Sequence, residues 1–321
     1  MSSQQQPLIS LDDITFVGQN LNRPESVQVM KDGSIYVSHR DCGVSHIKSV
    51  GQQRLIGIPG QKANGHELIP NGTAPMGDGS FRLANIGDGG GVWTLDEATG
   101  AIEPFLMEAD GQFLAAANFV MTDDQGRTWI TVSTASQPRF TAYSEKVADG
   151  FIVLQDEQGT RIVADSLGFA NECRLSPDGK QLVVAETFAR RITLYDVTAK
   201  GDLKNAQTFA QFGRGDFPDG CRFDQAGHLW MTSIVSNRLY RIAPDGTPTL
   251  ILEDADAAHI DWVENALSAG KMGREHFYET AGEKLRNIAS VDFGGDNGRS
   301  VYLGSLADTR IATFTLPPDF S

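Results

Sequence analysis

What this chain is short of excludes several classes at once. It carries three cysteines, Cys42, Cys173 and Cys221, with no C-x-x-C spacing. An odd, scattered set builds neither a disulfide framework nor a structural zinc site. No apolar run approaches the roughly 18 residues that a membrane helix needs. The opening MSSQQQPLIS has no basic stretch leading into an apolar one, so no secretory signal is expected and a cytoplasmic protein is. Positive charge is scarce. Lys and Arg number 27 against 41 Asp and Glu, a formal net charge of -14. Nucleic acid and anionic membranes are bound through clustered Lys and Arg, so neither is an expected partner. Also missing are H-E-x-x-H, G-x-S-x-G and a P-loop. The Gly-rich IGDGGGVW lies between strand-like runs and lacks the helix that a phosphate cradle requires.

What the chain does have is a repeat. An acidic or amide residue opens a short apolar run, and a glycine follows eight positions later. The pairs are Glu25 and Gly33, Asn71 and Gly79, Asn118 and Gly126, Asn171 and Gly179, Asp219 and Gly227, and Asn287 and Gly295. After each glycine comes a β-rich run: SIYVSH, SFRLAN, RTWITVS, KQLVVAE, HLWMTS and RSVYLGS. Further runs such as GGVWTLD, RRITLYDV and NRLYRIAP complete the units. Gly in the intervening turns supplies positive φ at no steric cost, as hairpins demand. Units near 50 residues built of strands alone predict an all-β fold, a six-bladed β-propeller, as one domain over residues 1–321. Residues 8–17 are expected to supply the last blade's outer strand and close the ring.

The opening residues are 46, 47, 53, 48 and 68 positions apart. Within the long interval, Ile260, Val263 and Leu267 fall at helical spacing with Gly270 as an end signal. A helical insertion over about 254–277, between blades five and six, is predicted either to pack on the rim or to form a lid over the mouth.

Each blade's first strand runs along the central channel, so its opening residue points at the axis. Six oxygen-bearing side chains then converge at one end. Two readings are open: Asx-type caps that bond their own backbone, or hard-oxygen ligands for Ca²⁺, Mg²⁺ or Mn²⁺. The ends of the second strands return to the same face, which makes His39, Asn85, Ser133, Glu186 and Ser233 candidates for the mouth. Cys173 and Cys221 read as small buried hydrophobes.

The segments PESVQVMKDGSIYVS, FANECRLSPDGKQLVVAET and FPDGCRFDQAGHLWMTS carry a resemblance. Over residues 21–316 the chain resembles the SMP-30/gluconolactonase/LRE-like family. The resemblance implies a metal-dependent lactonase, a carboxylic ester hydrolase acting on a small molecule, as a monomer or small homo-oligomer. It implies one divalent ion, Ca²⁺ first, with Mg²⁺, Mn²⁺ or Zn²⁺ as alternatives. It carries over Glu25, Asn171 and Asp219 as ligands, Asn118 as a further ligand and substrate contact, and Asp219 as the group assisting water. Where sugar-lactone members carry Arg-x-Asn-Asp, this chain has Ala116-Ala117-Asn118-Phe119. Phe119 is therefore expected to meet a more apolar acyl part, with His39, Asn85, Glu186 and Ser233 as further substrate contacts. A non-hydrolytic enzyme on the same metal, or a non-catalytic propeller, is the alternative.

Overall fold

The computed structural model describes residues 7–41, 43–48, 51–279, 282–318 and 320. Cys42 lies outside them. Six four-stranded antiparallel sheets succeed one another along the chain as the blades of a β-propeller. The inner strands are Val27–Val29, Pro70–Pro75, Ala117–Thr122, Ala170–Leu175, Pro218–Phe223 and Ile288–Gly294, and each packs against the next around the channel. All six repeat glycines have positive φ, from 69° to 87°, as their turns require. In blade one the Gly33 N–H donates to the Met30 carbonyl at 2.9 Å, and the same bond recurs at Gly126, Gly179 and Gly227.

The ring closes with strands from both ends of the chain. Thr15–Val17 pairs antiparallel with Ile311–Thr315 as the outermost strand of blade six. Just ahead of it, Ile9 and Ile14 are buried in the apolar cluster that joins blades five and six.

Blades meet through apolar side chains on both faces of each sheet, yet polar side chains stitch the inner strands together near one end. Ser26 Oγ accepts from the Thr73 N–H at 3.2 Å, and Thr187 Oγ1 donates to the Pro218 carbonyl at 2.8 Å. Inner strands also approach closely at glycine. A Cβ on Gly220 would stand 2.6 Å from Ser290 Cα, and one on Gly72 2.6 Å from Phe119 Cα. Gly220→Ala should therefore cost about 1–3 kcal/mol of stability through overpacking. Urea denaturation measures it, and an unchanged midpoint would show that the strands part freely.

The insertion contains two helices, α1 (Ala257–Ser268) and α2 (Glu275–Tyr278). Asp256 caps α1 by accepting from the His259 N–H at 2.7 Å. At the other end the Gly270 N–H reaches Leu267 O and the Lys271 N–H reaches Ala266 O, a Schellman termination on a glycine at φ 64°. Ile260, Val263 and Leu267 face inward as their spacing predicts. Glu264 grips Arg190 of blade four with two bonds of 2.8 Å. The return from the insertion is tied to its start, because the Asp254 carboxylate accepts from the N–H groups of Glu283, Lys284 and Leu285 at 2.7–2.8 Å. Of the two expected placements, rim or mouth, the insertion takes the one nearer the mouth. α1 joins an apolar cluster with Tyr143, Phe169 and Phe217, and α2 carries Phe277 and Tyr278 over the channel mouth. Apolar side chains at this end leave α1 no other surface on which to bury its stripe.

Candidate metal centre

The inner strands of blades two to six shift register at their heads, at Pro70/Thr73, Ala117/Phe119, Ala170/Cys173, Pro218/Cys221 and Ile288/Ser290. A bulge at that point re-aims the local side chain. The six opening residues Glu25, Asn71, Asn118, Asn171, Asp219 and Asn287 are all buried. Two non-glycine residues just ahead of them hold left-handed backbone, Arg23 at φ 54° and Phe169 at φ 68°. Such conformations are costly and concentrate at functional sites. Here they turn Arg23 and Phe169 into the lining of a small cavity.

That cavity has about 30 Å³ of free volume, enough for a water-sized guest. Glu25, Asn171 and Asp219 share its wall with Arg23, Arg139, Tyr143, Thr187, Phe277 and Tyr278. Asn171 Oδ1, Asp219 Oδ1 and Asn287 Oδ1 are buried with no hydrogen-bond donor. Glu25 Oε2 is held by the Arg23 guanidinium as an ion pair. Buried polar oxygens are rarely left unpaired, so this cluster calls for a positive guest. Among the described residues no three His, Cys, Asp or Glu side chains form a metal cluster. The donor set is two carboxylates and amide oxygens, hard ligands that fit Ca²⁺ or Mg²⁺. Burial pushes the Asp219 carboxyl well above the usual carboxylate range, and the nearby Glu25 and Glu172 charges add to the rise. Glu25 is likewise raised by burial, against the pull of Arg23. A dication at this point would favour the charged form of both. The residues present therefore fit the metal that the sequence implies.

Asn71 orders the site from behind. Its Nδ2 donates to Glu25 Oε1 at 2.7 Å and to Asn118 Oδ1 at 3.1 Å, while its Oδ1 accepts from Arg23 at 2.7 Å. Asn118 Nδ2 donates to Ser133 Oγ at 3.0 Å. Asn118 thus stands two bonds behind Glu25, through Asn71, with its amide already occupied. Asn171 Nδ2 donates to Thr187 Oγ1 at 3.2 Å, which leaves its oxygen free to face the cavity.

The other expected substrate contacts are not brought there. Phe119 follows Asn118 on a pleated strand and so faces the opposite side. Its ring is buried between blades three and four with the Arg174 guanidinium stacked on it at 4.1 Å. The second-strand candidates lie one strand out from the channel, and their side chains are spent on local structure. Asn85 Oδ1 accepts from the Ile69 and Gly87 N–H groups. Glu186 is fully buried, paired with Arg191 at 2.7 Å and accepting from the Gly168 N–H at 2.6 Å. Ser233 Oγ accepts from the Phe217 N–H at 3.0 Å. His39 Nδ1 accepts from the Asp41 N–H at 3.3 Å, and burial pulls its pKa down. Cys173 and Cys221 are buried free thiols, and burial pushes Cys173 up to about 12. Glu172, beside Asn171, is raised to about 7 by burial although Arg174 lies 2.9 Å away.

Sequence reasoning missed Arg23, Arg139, Tyr143, Phe277 and Tyr278. Arg23 stands immediately ahead of the PESV segment, and Phe277 lies at the end of the expected insertion.

Among the described residues no helix is long and apolar enough to cross a membrane. Comparison with known proteins bears on the fold and the family. The chain is 24% identical over 331 residues to the strictosidine synthase-like 4 protein of Arabidopsis thaliana, covering 94% of this chain and 81% of that one. Its fold matches a gluconolactonase from Xanthomonas campestris with a TM-score of 0.69 at 15% identity, over 98% of this chain and 96% of the other. It also matches regucalcin, a calcium-binding protein from Agrobacterium tumefaciens, with a TM-score of 0.62 at 15% identity and 93% coverage of each chain. At such identities these two likenesses show the fold alone. The family description SMP-30/Gluconolactonase/LRE-like region matches residues 71–253, more than half of the chain. With its propeller and its ring of inward oxygens, the chain belongs to the SMP-30/gluconolactonase/LRE-like family.

Proposed function

We propose that the protein is a metal-dependent lactone hydrolase whose ligands are Glu25, Asn171 and Asp219, with Asn287 completing the set. Asn118 acts from behind, through Asn71. The observation that carries this reading is the pair of orphaned oxygens, Asn171 Oδ1 and Asp219 Oδ1, on the cavity wall that they share with Glu25 and Arg23. A divalent cation, Ca²⁺ first, supplies Lewis-acid polarisation of the lactone carbonyl and acidifies water when bound there.

The chain's own groups do the rest. Asp219 Oδ1 accepts the proton of the attacking water, in the role of general base. Asn71 fixes the Glu25 rotamer through its bond to Oε1. Arg23 pairs with Glu25, and the Arg139 charge on the same wall acts on both Glu25 and Asp219. Phe169, Phe277, Ile234 and Leu306 wall the cavity with apolar surface and keep bulk water away from the reacting ester.

A proton-release assay over a panel of small lactones, with and without chelator, tests the proposal. Chelator-sensitive hydrolysis of at least one lactone is expected. The full-length likeness to a strictosidine synthase-like protein favours one second reading, a synthase-type reaction on the same scaffold. Bound metal with no hydrolysis of any lactone would overturn the hydrolase reading and leave a non-hydrolytic enzyme or a non-catalytic propeller.

A further inference from the structure

Above the metal cavity lies a second, outer cavity of about 220 Å³. It is lined by Arg40, Ile69, Ile86, Arg139, Tyr143, Arg274 and Tyr278. Arg139, Tyr143 and Tyr278 also line the inner cavity, so the two adjoin. Three of the seven lining residues are arginines and none is acidic, on a chain whose net charge is -14.

The way these arginines are held is informative. Arg40 is paired with Glu67 at 3.2 Å. Arg139 and Arg274 have no carboxylate partner among the described residues. Aromatic faces position them instead, Arg139 over the Phe169 ring at 4.8 Å and Arg274 over Phe140 at 5.8 Å. Stacking fixes the plane of a guanidinium without consuming the N–H donors at its edge. The Arg139 Nε is buried with no acceptor, and among the described residues the side chain's one hydrogen bond is a long one of 3.5 Å to Ser133 Oγ. Neither guanidinium makes an ion pair among the described residues, although the Arg139 charge also acts on Glu25 and Asp219 across the inner cavity. A planar fork of this kind matches a carboxylate.

We propose that the outer cavity receives a carboxylate carried by the substrate, held by Arg139 and Arg274, so that the substrate class is acidic lactones. The proposal rests on the lactone-hydrolase reading for its kinetics but not for its binding. Ile69 and Ile86 give a short aliphatic linker a place between the two charged ends.

Calorimetric titration of the metal-free protein with glutarate tests the binding directly, with glutaramide and inorganic phosphate as parallel arms. Metal-free protein keeps contact between the anion and a bound cation out of the result. Glutarate should bind, glutaramide should not, and Arg139→Gln with Arg274→Gln should weaken glutarate at least 10-fold. Arg274 is exposed, so its single substitution keeps the fold and should itself weaken binding. In kinetics, a carboxylate-bearing γ-lactone should exceed its methyl ester in kcat/KM by about 10- to 100-fold, the range of a charge-assisted pair, and the double variant should lose that preference. Glutarate binding unchanged in the double variant, tighter binding of phosphate, or equal turnover of acid and ester overturns the proposal. Arginine-dependent glutarate binding without hydrolysis of any lactone supports it and overturns the hydrolase reading instead.

Discussion

Asp219→Asn should lower kcat/KM for a lactone substrate by about 10³-fold, because several kcal/mol of metal-supplied transition-state stabilisation go with it. The substitution keeps shape and an oxygen donor but removes charge. Glu25 is already paired with Arg23 and also faces Arg139, so no unpaired carboxylate is left to retain a dication. A second measurement separates this role from simple damage. Saturating the wild-type protein with Ca²⁺ at about 100 times its Kd should stabilise it by about 2.7 kcal/mol, and the variant should show none of that gain. Without metal the sign reverses. Asp219 is a buried carboxylate crowded by Glu25 and Glu172, so its removal should raise the melting temperature of the apo protein. Stability given up for a functional site is a common trade. An Asp219→Asn protein with full turnover would sink the assignment.

Deleting residues 1–17 should be the most damaging change away from the site. The deletion strips the outer strand from blade six and unpairs Ile311–Thr315. It also removes Ile9 and Ile14 from the cluster between blades five and six. Burying two such side chains is worth about 3–6 kcal/mol. The lost backbone ties include the Ile9 N–H to the Ile251 carbonyl at 2.9 Å and Lys284 Nζ to the Leu11 carbonyl at 2.8 Å. Whole domains are stable by about 5–15 kcal/mol, so the loss approaches unfolding. Urea denaturation would show a collapsed midpoint, and the exposed edge of blade six should promote aggregation. A midpoint within error of the full chain would mean that the ring does not depend on this closure.

The ring was legible because its signal repeats. Six polar-to-glycine offsets mark six hairpins, and each glycine sits in the left-handed region that its turn demands. The inward direction of Glu25, Asn171 and Asp219 follows from strand order alone. Reading along the second strands failed for a geometric reason. Their ends return to the right face but stand one strand away from the axis, where Asn85, Glu186 and Ser233 find local partners. Phe119 failed through pleat alternation next to Asn118. The cavity's remaining walls come from segments with no period at all. Arg139 and Tyr143 lie between two strands of blade three, and Phe277 and Tyr278 lie in the insertion. Nothing local in those stretches announces that they meet.

The Asp254 carboxylate, bonded to the N–H groups of Glu283, Lys284 and Leu285, brings the two stems of the insertion together at one point of the barrel-like ring. Segments whose ends coincide can change length and content with little effect on the scaffold that carries them. The protein is in that sense modular. The ring carries the buried oxygens of Asn171 and Asp219, while the pinned insertion places Phe277 and Tyr278 in the wall in front of them. Recognition can then diverge by exchanging the insertion, with the chemistry at Asp219 left in place.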